Sequence, residues 1–324
     1  MTSPTLSPAP TQSVLTLLVQ PKDAGLRLDK LLAVAWGQPR AKIAKAAKRG
    51  LITVDGVKVK ASLTVKTGQK IEGGKLEEDV APLTLDPHIK LDILYQDSQI
   101  LVINKPANLT AHPGPGVKGP TLTPYLLALE PTLATVGDPE RPGLVHRLDK
   151  DTTGIMVIAK TNASWEFLKK AFSSRKVIKK YLAFTLGVPV TQGLVDQPIG
   201  RHPTQRRKMA VIPNGRPAKT LIKVLKVFPP TNLSLVELTL LTGRTHQARV
   251  HLAKVKAPVL GDPVYGPKLG PLLASFPSLS PFLGRQLLHA RRITIPRAPG
   301  GHLALRAPWP LDFQNLYAHL QKLE

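Results

Sequence analysis

The sequence predicts an α+β protein in which a mixed or antiparallel sheet with peripheral helices follows a small, separate α/β module. Three observations carry this. Strand candidates at Ile100 to Asn104, Gly154 to Lys160, Tyr181 to Gly187, Leu221 to Phe228, Leu233 to Leu240 and Leu287 to Ile295 fall in adjacent runs instead of alternating strictly with helices. A basic helical stretch, Ala41 to Lys48, ends at Gly50 and leads into two short strands joined by the turn Asp55-Gly56. Between these regions, residues 72–88 hold Gly73-Gly74, an acidic run and two prolines, the composition of a linker.

Taken in order, residues 1–14 are mostly Ser, Thr, Pro, Ala and Leu without periodicity and are expected to form a disordered tail. The front module then spans 15–82, with Arg27-Leu28-Asp29-Lys30-Leu31-Leu32, the basic helix, and the hairpin of Leu51 to Val54 with Val57 to Val59. Residues 83–324 form the large domain, whose helices are expected at Ala163 to Phe172, Thr245 to Val255 and Asp312 to Leu323. Gly266 to Gly284, rich in Pro, Gly, Ser and Leu, is expected to be a surface loop.

Of the 324 residues, 42% are hydrophobic, enough to fill a core. Lys and Arg number 45 against 21 Asp and Glu, a formal charge of +24. Such an excess concentrates polyanions around the protein and makes nucleic acid the leading partner, ahead of an anionic membrane surface. No apolar run approaches the roughly 20 residues needed to span a bilayer. No basic segment with an apolar core opens the chain, so the expected location is the cytoplasm. Cys is absent, which excludes disulfides, thiolate nucleophiles and Cys-containing zinc sites. The chemistry falls to carboxylate, imidazole, hydroxyl or phenol groups.

Between Gln38 and Lys60 stand seven basic residues, Arg40, Lys42, Lys45, Lys48, Arg49, Lys58 and Lys60, with one acid. A solvated charged face would explain such a run, but the near absence of acids favours contact with phosphate. Arg27 to Leu31, the basic helix and Gly50 to Lys60 together resemble the alpha-L RNA-binding domain found in a small-subunit ribosomal protein and several RNA-modifying enzymes. That family usually carries Ser before the Arg of the basic helix, where this chain has Pro39.

Residues 143–160 hold a polar loop between two apolar stretches, which presents its carboxylates and guanidinium at a strand end with little freedom to move. A charged turn is the plain alternative. Asp149 lies beside Arg147 and Lys150, whose charges favour the ionised carboxylate, so it reads as a nucleophile candidate and not as an acid. Service as no more than a salt-bridge partner of Arg249 is the other reading of Asp149. If Thr245 to Val255 is helical, His246 and Arg249 lie three apart and share a face. Arg175-Lys176 and Lys179-Lys180 put phosphate-binding charge beside Tyr181, whose alternative role is a strand core residue. A zinc site at His246 and His251 fits poorly, because they are five apart with no adjacent acid.

The run His146-Arg147-Leu148-Asp149-Lys150-Asp151-Thr152-Thr153-Gly154 is identified as the signature loop of the RluA family of pseudouridine synthases. Further segments follow in that family's order: Asn104-Lys105-Pro106 with His112-Pro113-Gly114, Lys180-Tyr181, Gly200 to Pro203, Gly215 to Ala218, Thr242 to His251, Gly261 to Gly266 and Leu288-His289-Ala290. The resemblance runs from about Leu91 to the C-terminus. Ala248 stands where the family usually has a branched aliphatic residue. With the front module and His202-Pro203-Thr204, the likeness is greatest to the branch that modifies a conserved hairpin of large-subunit ribosomal RNA.

The resemblance implies that the N-glycosidic bond of a uridine is broken, the uracil turns while bound, and it is rejoined through carbon, with no cofactor and no metal. It implies that Asp149 is the essential carboxylate, acting by covalent attack or by way of a glycal. Tyr181 is implied to pack on the target base and to take part in late proton transfer, and Arg249 to pair with the carboxylate. Arg147 is implied to fill the gap left by the extruded nucleotide, an extrusion that costs a few kcal/mol and that a planar cation suits. His202, Arg244 and His246 join the front-module cations as expected RNA contacts. The expected partner is large-subunit ribosomal RNA or a pre-ribosomal particle, with no membrane, and the chain is expected to act as a monomer in rRNA processing. The alternatives are a tRNA or dual-specificity enzyme and a non-catalytic ribosome-assembly protein, against which the complete set Asp149, Tyr181 and Arg249 argues. A nuclease would want clustered metal-binding acids, for which Asp149 and Asp151 are thin support.

Overall fold

The computed structural model describes residues 15–38, 40–73, 85–86, 89–111, 119–205, 208–297 and 300–324. The expected tail at 1–14, most of the expected linker, Pro39 and His112-Pro113-Gly114 lie outside these residues. The chain divides into two units, Met1–Pro82 and Leu83–Glu324.

In the first unit, β1 (Leu15–Leu18), α1 (Leu28–Ala35), α2 (Arg40–Lys48), β2 (Ile52–Val54), β3 (Val57–Lys58) and β4 (Lys70–Gly73) follow in order. The four strands form one antiparallel sheet in the order β1-β4-β2-β3. Helix α2 exists because Ile43, Ala46 and Ala47 recur at helical spacing and are buried, which leaves Lys45, Lys48 and Arg49 on the exposed side. Leu28, Leu31 and Leu32 of α1 meet them with Ile52, Val54 and Ile71 of the sheet. The hairpin turn has positive φ at both Asp55 (52°) and Gly56 (78°), the requirement of a two-residue turn that matches strand twist. Strand β4 overlaps the start of the expected linker. Ile71 is buried in the core and Gly73 lies under the Trp36 ring, so residues 72–73 belong to the sheet of the first unit.

The second unit begins with β5 (Asp92–Gln96) and β6 (Ile100–Lys105), then α3 (Leu122–Leu129) and the short pair β7 (Gly137–Asp138) and β8 (Arg141–Pro142). Next come β9 (Thr153–Ala159), α4 (Asn162–Ser173), β10 (Ile178–Leu186), β11 (Gly193–Asp196), β12 (Ile199–Arg201) and β13 (Met209–Val211). The chain closes with β14 (Lys219–Phe228), β15 (Leu233–Leu240), α5 (Gln247–Lys254), α6 (Gly270–Ser275), β16 (Leu288–Pro296), β17 (His302–Arg306) and α7 (Leu311–Lys322). Nine strands form one sheet ordered β11-β14-β15-β10-β16-β9-β6-β5, with β17 added on β16. It is mixed because β9 and β16 run parallel while the other pairs are antiparallel. All seven residues of β9 are buried, as its unbroken apolar run requires of a strand covered on both faces.

The structure corrects the expected loop at Gly266 to Gly284, which contains α6 and a 3-10 turn at Pro277–Phe282. Leu269, Leu272, Leu273 and Phe276 lie at helical spacing and pack with buried Leu279 against Phe313 and Leu316 of α7. Helix α3 escapes the sequence because Pro124 reads as a breaker, yet in a first turn its missing N–H is no loss. Helix α5 starts at Gln247, two residues later than expected. Among the described residues no helix is long and apolar enough to cross a membrane.

Candidate active site

The loop before β9 is clamped by a buried lysine and a half-buried arginine. The Lys105 ammonium, at 0% exposure, donates to the carbonyl oxygens of Pro106 (2.7 Å), Leu109 (2.9 Å) and Lys150 (2.9 Å). Burial pushes it down to about 7, against the opposing pull of the Asp151 carboxylate. Arg285, itself paired with Asp312 at 2.7 Å, donates to the Asp151 carbonyl at 2.9 Å. The Gln286 amide reaches the Thr152 hydroxyl at 3.1 Å, and Thr153 shares a hydrogen bond of 2.9 Å with His289. Gly154 closes the loop at φ 112°, where an added Cβ would meet the backbone of Ala290 in β16, so only glycine lets the strands approach.

His146 of the same loop is structural. Its ring stacks on Phe172 with centroids 4.7 Å apart, and its Nε2 accepts the Val157 N–H at 2.8 Å. Burial, helped by the Lys179 charge, holds the imidazole down to about 3, so it stays neutral. Leu148 is buried in the main core while Arg147 is exposed, an alternation that leaves Asp149 at the edge of a cleft of about 450 Å³.

Tyr181 and Arg249 line this cleft with Asp149. Arg249, 4% exposed, donates from Nη1 to Oδ2 of Asp149 at 3.1 Å and from Nε and Nη2 to both oxygens of Asp262 at 2.7 and 2.8 Å. Burial disfavours the Arg249 cation, but the hydrogen bonds and charges of Asp262 and Asp149 outweigh it and the net shift is upward. The cation on Asp149 is therefore Arg249, a hundred residues away in sequence. The sequence neighbours Arg147 and Lys150 are both exposed. Tyr181 is buried in β10, and burial together with the nearby Asp149 charge raises its hydroxyl, so the phenol stays protonated.

Of the expected RNA contacts, Arg147, Arg244 and His246 line the cleft, and Arg244 donates to the Pro217 carbonyl at 3.0 Å. His202 does not: its Nδ1 accepts the N–H groups of Thr204 and Gln205 in its own loop. His246 is not on the helix face shared with Arg249, since it precedes α5 in a left-handed conformation (φ 56°), yet both reach Asp149. His251 turns away to Thr220 and the Gln197 carbonyl, so no zinc pair forms with His246. In the first unit, Lys48, Arg49, Lys58 and Lys60 surround one hollow. Arg40 instead bonds Asp29 at 2.8 Å, and Arg27, with Arg40 second, holds that carboxyl at about 2. Lys42 is half-buried and Lys45 exposed.

Four residues with evident roles went unassigned in the sequence: Lys105, Asp262, Tyr265 and Arg285. The first three sit in recognisable segments, Asn104-Lys105-Pro106 and Gly261 to Gly266, which were the available signal. Arg285 carried none.

Residues 99–254 match the RNA pseudouridylate synthase family and residues 26–71 the S4 domain. An uncharacterized RNA pseudouridine synthase of Chloroflexus aurantiacus is 40% identical over 94% of this chain and 93% of its own length. The ribosomal large subunit pseudouridine synthase D of Haemophilus ducreyi is 37% identical over 96% of this chain and 95% of its own. The solved structure of human RNA pseudouridylate synthase domain containing 4 superposes with a TM-score of 0.56 at 33% identity, covering 71% of this chain and 93% of that one. A carboxylate paired with arginine in one cleft, on this fold, and full-length relatives of one kind make this chain a member of the RNA pseudouridylate synthase family, an RNA uridine isomerase with an S4 domain in front.

Proposed function

We propose that this protein isomerises uridines of large-subunit ribosomal RNA to pseudouridine in the cytoplasm during ribosome biogenesis. The reading has Asp149 as the reacting carboxylate, Arg249 as its charge partner and Tyr181 under the target base. The observation that carries it is the Asp149–Arg249 pair opening on the same cleft as Tyr181. The substrate class follows from near full-length likeness to relatives named for the large ribosomal subunit. In the reaction the bond from uracil N1 to the ribose C1′ breaks, a bond from C5 to C1′ forms, the C5 proton leaves and N1 takes up a proton, so the product is an isomer of the substrate. An anionic Asp149 with one oxygen held by Arg249 suits attack at C1′ or proton removal from C2′. Arg147, exposed two residues before it, suits the vacancy left by the flipped nucleotide. Mapping pseudouridines across total RNA with and without the protein tests this. Loss confined to large-subunit rRNA supports it, loss in tRNA replaces the substrate, and no loss anywhere overturns it.

Tyr181→Phe keeps the ring and removes the O–H. Its RNA affinity is expected to stay within about twofold of wild type, while the single-turnover rate falls by about 10²-fold or more. A wild-type rate at saturating RNA would leave Tyr181 with packing alone.

Replacing Lys48, Lys58 and Lys60 together by Ala is expected to weaken RNA binding without sequence preference. The slope of log affinity against log salt should fall by about 2, at roughly 0.7 per lost phosphate contact. An unchanged slope would make this hollow a solvated face.

A further inference from the structure

The two oxygens of Asp149 face different groups. Oδ2 accepts from Arg249, and Oδ1 lies 3.9 Å from Nε2 of His246. Behind His246, Nδ1 is 2.8 Å from the Tyr265 hydroxyl, which also accepts the Met209 N–H at 2.8 Å. With that acceptance satisfied, the hydroxyl proton is available to donate to Nδ1, which places the imidazole proton on Nε2. The opposite tautomer would aim the Nε2 lone pair at an anionic oxygen. One turn organises both partners of the carboxylate: Asp262 grips Arg249, Tyr265 holds His246, and the Tyr265 N–H donates to Asp262 at 3.1 Å. His246 is held in left-handed backbone (φ 56°), a conformation that persists in a side-chain-bearing residue only where surroundings over-determine it. Here the Gln247 side chain closes the turn on Arg244 N–H and Thr242, and the His246 carbonyl accepts from Val250.

We propose that His246, locked by Tyr265 as a neutral imidazole with its Nε2–H toward Oδ1, is a positioning residue that sets the plane of the Asp149 carboxylate without neutralising it. This rests on Asp149 being the reacting group. At 3.9 Å the contact is ion to dipole, and such contacts tighten when a substrate fills the site. Tyr265 and Asp149 lie against the ring, and the charges that act on it are Asp149, Arg249, Asp262 and Arg147. Burial first, and then the two arginines, disfavour a second cation beside Arg249 more than the two carboxylates favour it, so the imidazole is lowered and neutral.

The test uses full-length protein, single-turnover tritium release from RNA labelled at uridine C5 across the acid side of the pH profile, filter binding and thermal melting. His246→Ala is expected to lose about 10²-fold in rate at saturating RNA with affinity unchanged, the scale of a misplaced reacting group. His246→Gln, a neutral donor of similar reach, should recover most of that loss. In Tyr265→Phe the neutral imidazole loses the O–H that it accepts, so it protonates more readily and the acid limb moves to higher pH. If His246→Ala instead weakens RNA binding while the saturated rate holds, His246 is an RNA contact and the positioning role is wrong. An unmoved acid limb in Tyr265→Phe also overturns it. Absence of tritium release from the wild type would remove the parent reading and this one with it.

Discussion

Asp149→Asn is expected to abolish pseudouridine formation while the fold and the RNA affinity stay near wild type. The amide keeps the size and the hydrogen-bonding reach of the carboxylate but supplies neither negative charge nor a competent nucleophile. A group that reacts with the nucleotide must then fail, by an order of 10⁴-fold or more, where a packing role would mostly persist. The surroundings make this a clean experiment. Arg249 keeps its two hydrogen bonds to Asp262, so removing the Asp149 charge does not strand a buried cation. The loop that carries Asp149 is held through the carbonyls of Lys150 and Asp151 by Lys105 and Arg285, and neither clamp involves the substituted side chain. The measurement is tritium release from RNA labelled at uridine C5, with filter binding and melting of the same variant. A release rate close to wild type would make Asp149 structural.

The loop that carries the proposed reacting carboxylate was legible because His146 to Gly154 is a continuous string, and a string can be recognised without knowing its fold. The α+β class was legible from strand runs, and β15 from Leu233 to Leu240 falls where its apolar pattern indicated. What holds the site was not. Arg249 meets Asp262 across 13 positions, Lys105 meets Lys150 across 45 and Arg285 meets Asp151 across 134, and no periodicity encodes such pairings. Adjacency does not give the partner: Arg147 and Lys150 neighbour Asp149 in sequence but are exposed, and the hydrogen-bonded cation is Arg249. A helix from Thr245 would put His246 on one face with Arg249, but spacing takes no account of a residue that precedes the helix and turns left-handed. Prolines hid α6 and α3, because a proline marks a breaker by composition and a tolerated first-turn residue only by position.

The second large effect concerns stability. Asp262→Ala is expected to lower the melting temperature of the protein sharply, because it leaves the Arg249 guanidinium buried with its main partner gone. The Asp262 side chain is 0% exposed and that of Arg249 4%, so water cannot replace the lost carboxylate. Breaking one side of such a buried pair costs about 3–5 kcal/mol, which for a unit of this size lowers melting by roughly 10 °C. The carboxylate also accepts the Val264 and Tyr265 N–H groups, so the turn that holds His246 loosens as well. Burial raises the Asp262 carboxyl, but the Arg249 hydrogen bond and charge more than offset it and the net shift is downward. Its contribution is therefore complete above the ordinary carboxylate range and is lost as pH falls through the lowered folded value. The gap between wild type and Asp262→Ala should be widest near neutral pH and close toward strong acid. A double variant separates structure from chemistry: Asp262→Leu with Arg249→Met replaces the pair by apolar groups and should regain most of the melting temperature, yet still form no pseudouridine. If Asp262→Ala melts within a degree or two of wild type at neutral pH, the Arg249–Asp262 pair does not anchor the site and the orienting role of the turn from Gly261 to Gly266 falls with it.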